Sequence, residues 1–313
     1  MQKILINLSC IFGLLFSYSV SALPPSQLIV FGDSLSDNGN LASAPGFGFL
    51  NKSPYDHGFS NGPRAVEVLA TQLGLPVDPF YNSGATVLGT NFAIAGARAY
   101  DNRPQPRSPD LSEQVNTFLA TFGTPDPKAL YVIFIGGNDV RDARDATSEA
   151  NAQYIIHAAA DAIGDNVRLL LDAGAKAIMV VNAGDLGAIP ETHLLALNNH
   201  QPSLIKRSTG LTRRFNEKLT EGIREIKQGL HADHLVEFDY FSFARYVDLE
   251  YLALGFTNKK DACFSSVTFT FNAGCNNGSN FDQFLYFDEI HTSARTDERV
   301  GRAFYSSIPE LTH

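Results

Sequence analysis

Residues 27–37 read QLIVFGDSLSD: an apolar run, Leu28 to Phe31, closed by Gly32 and followed by Asp33, Ser34, Leu35, Ser36 and Asp37. A short apolar run bounded by glycine fits a strand buried on both faces. Residues 129–135 (ALYVIFI), ending in Gly136-Gly137, are the strongest strand signal in the chain. Residues 90–94, 177–181 and 235–238 are three further candidates. Helical periodicity fills the intervals at 64–73, 111–122, 148–173, 209–230 and 296–307. The first of these has Pro63 before it and Gly74 after it, and the third stops at Gly174. Strands alternating with helices predict an α/β fold, a mostly parallel sheet covered by helices on both faces. In such sheets ligands bind beyond the carboxyl ends of the strands, which is where Ser34 falls. A plainer reading of the same residues is a turn in which Ser34 caps a helix.

Composition narrows the partners. The 313 residues are 44% hydrophobic and 18% charged, enough apolar material for a substantial core. A formal charge of −9 argues against a sequence-independent grip on nucleic acid phosphates. No repeat or low-complexity linker interrupts the chain, so a single domain is expected over residues 23–313. The loops at 41–61 and 183–208 are long and rich in Gly, Pro, Ser and Asn or His, and loops of that length usually carry function.

The first 22 residues read as a secretory signal: Lys3, an apolar stretch over residues 4–20, and small residues up to Ala22. The stretch is short for a membrane span, which needs about 20 apolar residues. Removal of the signal takes Cys10 with it and leaves Cys263 and Cys275. Export to an oxidising compartment with one possible pair argues for a disulfide, with a nominal chain-entropy contribution of about 3 kcal/mol. Between the cysteines, Val267, Phe269 and Phe271 alternate with threonines, which predicts a short hairpin with one apolar face.

Four blocks stand in order along the chain: Gly32-Asp33-Ser34-Leu35, then Asn91-Phe92-Ala93-Ile94-Ala95-Gly96-Ala97, then Gly136-Gly137-Asn138-Asp139, and Asp288-Glu289-Ile290-His291. Together they resemble the GDSL, or SGNH, hydrolases, serine esterases and lipases on a flavodoxin-like three-layer α/β/α fold. The likeness runs from about Leu28 to about Ala303. The longer string through Asn40, with Phe59-Ser60-Asn61-Gly62-Pro63 and Phe287 to Thr292, resembles the branch containing secreted bacterial lysophospholipases A and glycerophospholipid–cholesterol acyltransferases.

The resemblance implies a role for each residue. Ser34 would be the nucleophile, His291 its base, and Asp288 the group that orients the imidazole. The backbone N–H groups of Ser34 and Gly96 and the side-chain amide of Asn138 would form the oxyanion hole. Many relatives have Gly-Gly where this chain has Ala95-Gly96, which leaves open which N–H faces inward. No cofactor is implied, and no phosphate-binding glycine loop follows a strand. His231, Asp233 and His234 look superficially like metal ligands, but they lie in a polar turn, and no metal is expected.

The expected function is a secreted, cofactor-free serine acyl hydrolase acting on fatty-acyl esters of lysophospholipids or phospholipids. It would touch a membrane or micelle surface transiently and could pass the acyl group to an alcohol or sterol acceptor. Aromatic-rich segments at 47–49, 241–251 and 264–271 favour an acyl chain over a carbohydrate or short-chain ester, the enzymatic alternative. A secreted binding protein with a dead site would lack one of Ser34, Asp288 or His291, and all are present. The acyltransferase likeness further suggests that the 263–275 loop is an apolar flap over the acyl site, open to a processing protease; the plainer alternative is a disulfide staple on a surface loop.

Overall fold

The computed structural model describes residues 24–81, 88–105, 107–230, 232 and 234–308. The expected signal at 1–22 lies outside these residues, as do His231 and Asp233. Four strands, β1 (Leu28–Gly32), β2 (Leu130–Phe134), β3 (Ala177–Val181) and β4 (Leu235–Phe238), form one parallel sheet in that order. Every residue of the first three is buried, as their unbroken apolar runs require. Side chains alternate between two cores. Ile29, Phe31, Tyr131, Ile133, Ile178 and Val180 face one, and Leu28, Val30, Leu130, Val132, Met179 and Val181 face the other.

Helices α2 (Leu111–Phe122), α3 (Gly137–Asp145), α4 (Glu149–Ala173) and α6 (Ser203–Leu230) cover the first face. Helices α1 (Ala65–Leu73), α7 (Tyr240–Leu249) and α8 (Ala294–Ser306) cover the second. The result is the three-layer α/β/α arrangement. A last helix, α5 (Pro190–Asn198), packs along α6. Beyond the sheet, β5 (Asn258–Ala262) pairs in parallel with β8 (Phe284–Tyr286). A hairpin of β6 (Phe264–Ser265) and β7 (Thr270–Phe271) lies between them in sequence. Among the described residues no helix is long and apolar enough to cross a membrane.

Several expectations need correction. Residues 90–94 are not a strand. Asn91 forms single bridges to Val30 and Pro79, and the segment lies along β1 through Phe92 N–H to Val30 O (2.7 Å) and Ile94 N–H to Gly32 O (3.2 Å). Its outer carbonyls, Asn91 and Ala93, take the side-chain amide of Asn40 at 2.8 and 2.7 Å. On that outer edge the backbone of residues 78–80 pairs with Asn91 (Phe80 N–H to Asn91 O, 2.9 Å; Asn91 N–H to Asp78 O, 3.0 Å), and the Asn40 side chain closes it at Ala93. The loop expected at 183–208 holds α5 and the start of α6, which begins at Ser203 and not at Thr209. Helix α3 escaped notice because GNDVRDARD has no apolar stripe, and the aromatics of α7 obscured its period.

A buried glutamine fixes the end of β1. Gln114 is fully buried, accepts from Gly32 N–H at 2.9 Å and donates to Gly32 O at 2.9 Å. Gln114→Leu should therefore cost about 1–3 kcal/mol by leaving the Gly32 N–H without a partner. A urea midpoint at unchanged slope reads this, and a loss below about 0.5 kcal/mol would contradict the pinning.

Asp297 on α8 is buried and accepts from Thr292 Oγ1 at 2.6 Å. Burial pushes its carboxyl up to about 7, against the pull of that bond and of Arg64 and His291. The folded state therefore holds a proton that the unfolded chain has released, and this contribution to stability is lost as pH rises through about 7. Asp297→Asn keeps the acceptor and cannot titrate. Its melting temperature relative to wild type should rise between pH 5 and pH 8, and a difference constant with pH would refute the assignment.

Candidate active site

Ser34 and Asn138 both follow strand ends in one row of the sheet. Gly32, Phe134, Val181 and Phe238 are registered across it. Beyond Gly32 the chain turns at once, with Ser36 N–H and Asp37 N–H both donating to Asp33 O. Ser34 stands in that turn, 9% exposed. The Asp33 side chain beneath it is buried and bonds Leu35 N–H at 3.0 Å, and burial pushes this carboxyl up to about 6.

The structure brings Ser34, His291 and Asp288 together across 257 residues. His291 Nε2 lies 2.8 Å from Ser34 Oγ. His291 Nδ1 lies 2.8 and 2.9 Å from the two Asp288 oxygens. A carboxylate only accepts, so Nδ1 carries the proton and the Nε2 lone pair faces the serine. Asp288 is itself held by Ile290 N–H and His291 N–H, each at 2.8 Å. The turn is closed by Phe287 N–H to His291 O at 2.8 Å, and Ser293 then caps α8. Phe59 stacks on the imidazole, ring centroids 4.9 Å apart, and covers one of its faces.

The Ala95-Gly96 question has a geometric answer. Ala95 N–H is committed to Asp37 Oδ2 at 2.8 Å. Ala95 O accepts from Ser108 Oγ at 2.7 Å, so across the trans peptide the Gly96 N–H points away from Ser108. Arg98 takes the Gly96 carbonyl at 2.6 Å. Among the described residues neither Gly96 N–H nor Ser34 N–H has a protein acceptor. Gly96 has φ +83°, which explains the glycine. Asp37 supports this loop from below: its two oxygens also accept from Gly39, Asn40 and Leu41 N–H, at 3.0, 2.7 and 3.1 Å.

Asn138 is in the first turn of α3. The preceding Gly136, at φ +119°, lies so close to Phe215 that a Cβ would come within 2.5 Å of its ring. The Asn138 amide donates one N–H to Ala97 O at 2.9 Å and keeps a second. Asp139, buried and pushed up to about 7 by that burial, accepts from Ala99 and Tyr100 N–H at 2.9 and 3.2 Å.

A cavity of about 220 Å³ opens beside Ser34, Asn138 and His291. Its walls are largely apolar, with Leu186, Ile189, Phe243, Val247, Leu285 and Tyr286 among them, and Leu249 at its lining is 70% exposed. Cys263 and Cys275 are joined, their Cα atoms 5.2 Å apart. Among the described residues none from 250 to 284 lines the cavity. The hairpin is seated beside the site and not across it, because Phe264 finds its apolar partners in Leu50, Tyr55 and Phe287. It grips the 287–291 turn through Ser266, whose N–H and Oγ reach Glu289 Oε2 at 2.9 and 2.7 Å. The sequence reading missed Asp37, Phe59, Arg141 and Glu191. Asp37 and Phe59 stood within the quoted motif strings, whereas Arg141 and Glu191 left no local signal.

Two GDSL esterase/lipases of Arabidopsis thaliana are similar to the chain. One is 27% identical over 252 residues, 68% of this chain and 66% of that protein. The other is 24% identical over 345 residues, 96% of this chain and 98% of that protein. Lipase 1 of Photorhabdus luminescens is 33% identical over 184 residues, 56% of this chain and 26% of its own length. The GDSL-like Lipase/Acylhydrolase family matches residues 28–304. With most of its length matched, the chain belongs to the GDSL-like lipase/acylhydrolase family, and membership implies serine ester hydrolase activity.

Proposed function

We propose that the protein hydrolyses fatty-acyl esters of lysophospholipids or phospholipids through an acyl-serine intermediate. The observation that carries the reading is an apolar cavity that opens onto a serine hydroxyl already bonded to an imidazole. Ser34 Oγ attacks the ester carbonyl and gives its proton to His291 Nε2, while Asp288 stabilises the imidazolium. The carbonyl oxygen, now an oxyanion, takes hydrogen bonds from Ser34 N–H, Gly96 N–H and the free Asn138 N–H. Collapse breaks the ester C–O bond, and His291 returns the proton to the departing lysolipid or glycerol oxygen. Water then attacks the acyl-serine by the same route and releases the fatty acid. An alcohol or sterol hydroxyl in place of water would make the step an acyl transfer.

The acyl chain occupies the cavity between α7 and the β8 end, and the exposed Leu249 at its lining suits transient contact with a micelle or membrane surface. Secretion is the companion proposal. The Cys263–Cys275 disulfide supports an oxidising compartment, in keeping with the signal-like residues 1–22. At the hairpin tip Val267 is 79% and Phe269 63% exposed, a target open to a processing protease, and the disulfide would keep the cut ends joined.

Ser34→Ala should abolish turnover with the melting temperature unchanged. Appreciable hydrolysis by the folded variant would remove the nucleophile assignment. Asn138→Ala should lower kcat by about 10²–10³ with little change in KM, and a raised KM at equal kcat would make Asn138 a binding residue. Fatty-acid release should be compared for a long-chain lysophospholipid, a diacylphospholipid, a short-chain ester and an acetylated sugar, each with and without sterol. The reading expects the lysophospholipid to give the highest kcat/KM, whereas preference for the acetylated sugar or short-chain ester would place the protein among the other esterases.

A further inference from the structure

A network outside the Ser34–His291–Asp288 group ends on Asn138. Arg141, one turn along α3, donates from Nη1 to Asn138 Oδ1 at 3.1 Å. Its remaining edge is a fork onto Glu191 of α5, Nε to Oε2 at 3.0 Å and Nη2 to Oε1 at 2.5 Å. Glu191 is held in turn by Arg144, Nη1 to Oε2 at 2.8 Å, and its backbone N–H donates to Glu289 O at 2.8 Å, two residues before His291. Burial pushes the Glu191 carboxyl up, but its bonds and charges from Arg141 and Arg144 hold it below the usual range.

A primary amide has two orientations, and an oxyanion hole can use only the one that presents N–H. At Asn138 the choice is made from both ends: Ala97 O requires the NH₂ on one side and the Arg141 guanidinium requires the oxygen on the other. An arginine fork is suited to this because Glu191 fixes the guanidinium plane before Nη1 reaches Asn138. We infer that Arg141, braced by Glu191, is a positioning residue that holds the Asn138 amide in its donating orientation toward the oxyanion. The Glu191 N–H to Glu289 O bond makes the same brace tie the Asn138 block to the turn carrying Asp288 and His291. This inference rests on the proposed role of Asn138.

Hydrolysis of p-nitrophenyl butyrate tests it in a double-mutant cycle. Arg141→Ala should lower kcat about tenfold, less than the loss from removing the donor itself, with KM within about twofold. Arg144 keeps Glu191 partnered, so a melting temperature near wild type is expected. Arg141→Lys, which keeps a single donor without the fork, should recover part of the rate. In an Asn138→Ala background, Arg141→Ala should cost nothing more. An equal fractional loss in that background, unchanged kinetics in the single variant, or a raised KM at constant kcat would overturn the inference. If Asn138→Ala is slow and Arg141→Ala is not, this inference alone fails. If Asn138→Ala turns over at the wild-type rate, the role of Asn138 fails and this inference with it.

Discussion

Four parallel strands end in one registered row, Gly32, Phe134, Val181 and Phe238, and the rest of the site follows from that alignment. Parallel strands deliver their following loops to a common edge. Ser34 is two residues past the row and Asn138 four, so nucleophile and amide donor emerge side by side from neighbouring strands. The row stays in place because every residue of β1, β2 and β3 is buried on both faces, where a slip of one residue would exchange the two cores. Gln114 completes it by satisfying the last backbone groups of β1 from within the core.

Beyond the row, buried and half-buried polar groups replace regular structure. Asp37 gathers four backbone N–H groups and joins the Ser34 turn to the Gly96 loop. Asn40 closes the outer edge of the 90–94 segment. Asp139 holds residues 99 and 100, and Arg141 with Glu191 holds Asn138. Each of these groups fixes a loop that carries a hydrogen-bond donor. Buried polar networks of this kind are costly when half satisfied, and here nearly every oxygen named has its donor. The apolar cavity then needs only to be open on one side of a rigid rim.

Much of this was legible in the sequence. The strand runs and five helices stood out because a buried strand has to be apolar along its length and an amphipathic helix has to repeat its apolar face. The four motif blocks placed Ser34, Gly96, Asn138, Asp288 and His291 near one edge. What was not legible depended on contacts distant in sequence. The 90–94 segment has strand composition but pairs outward with backbone only at Asn91, and at Ala93 it meets the Asn40 side chain. Helix α3 has no apolar stripe because several of its polar residues, Asn138 and Asp139 foremost, are buried and bonded. Glu191 reaches Arg141 across 50 residues, and no periodicity marks such a pair. A hairpin does form, but the expected apolar face is not there: Val267 and Phe269 stand exposed in its turn, and Phe264 makes the buried contact with the 41–61 loop.

The central claim is that Ser34 becomes acylated during turnover. Rapid-quench mass spectrometry of the intact enzyme during turnover of a long-chain lysophospholipid, followed by peptide mapping, tests it most directly. The account predicts one transient acyl adduct, located on the peptide containing Ser34 and absent from His291→Ala on the same timescale. An adduct on another residue, or full turnover with direct transfer of the acyl group to water and no adduct when deacylation is slowed, would contradict it.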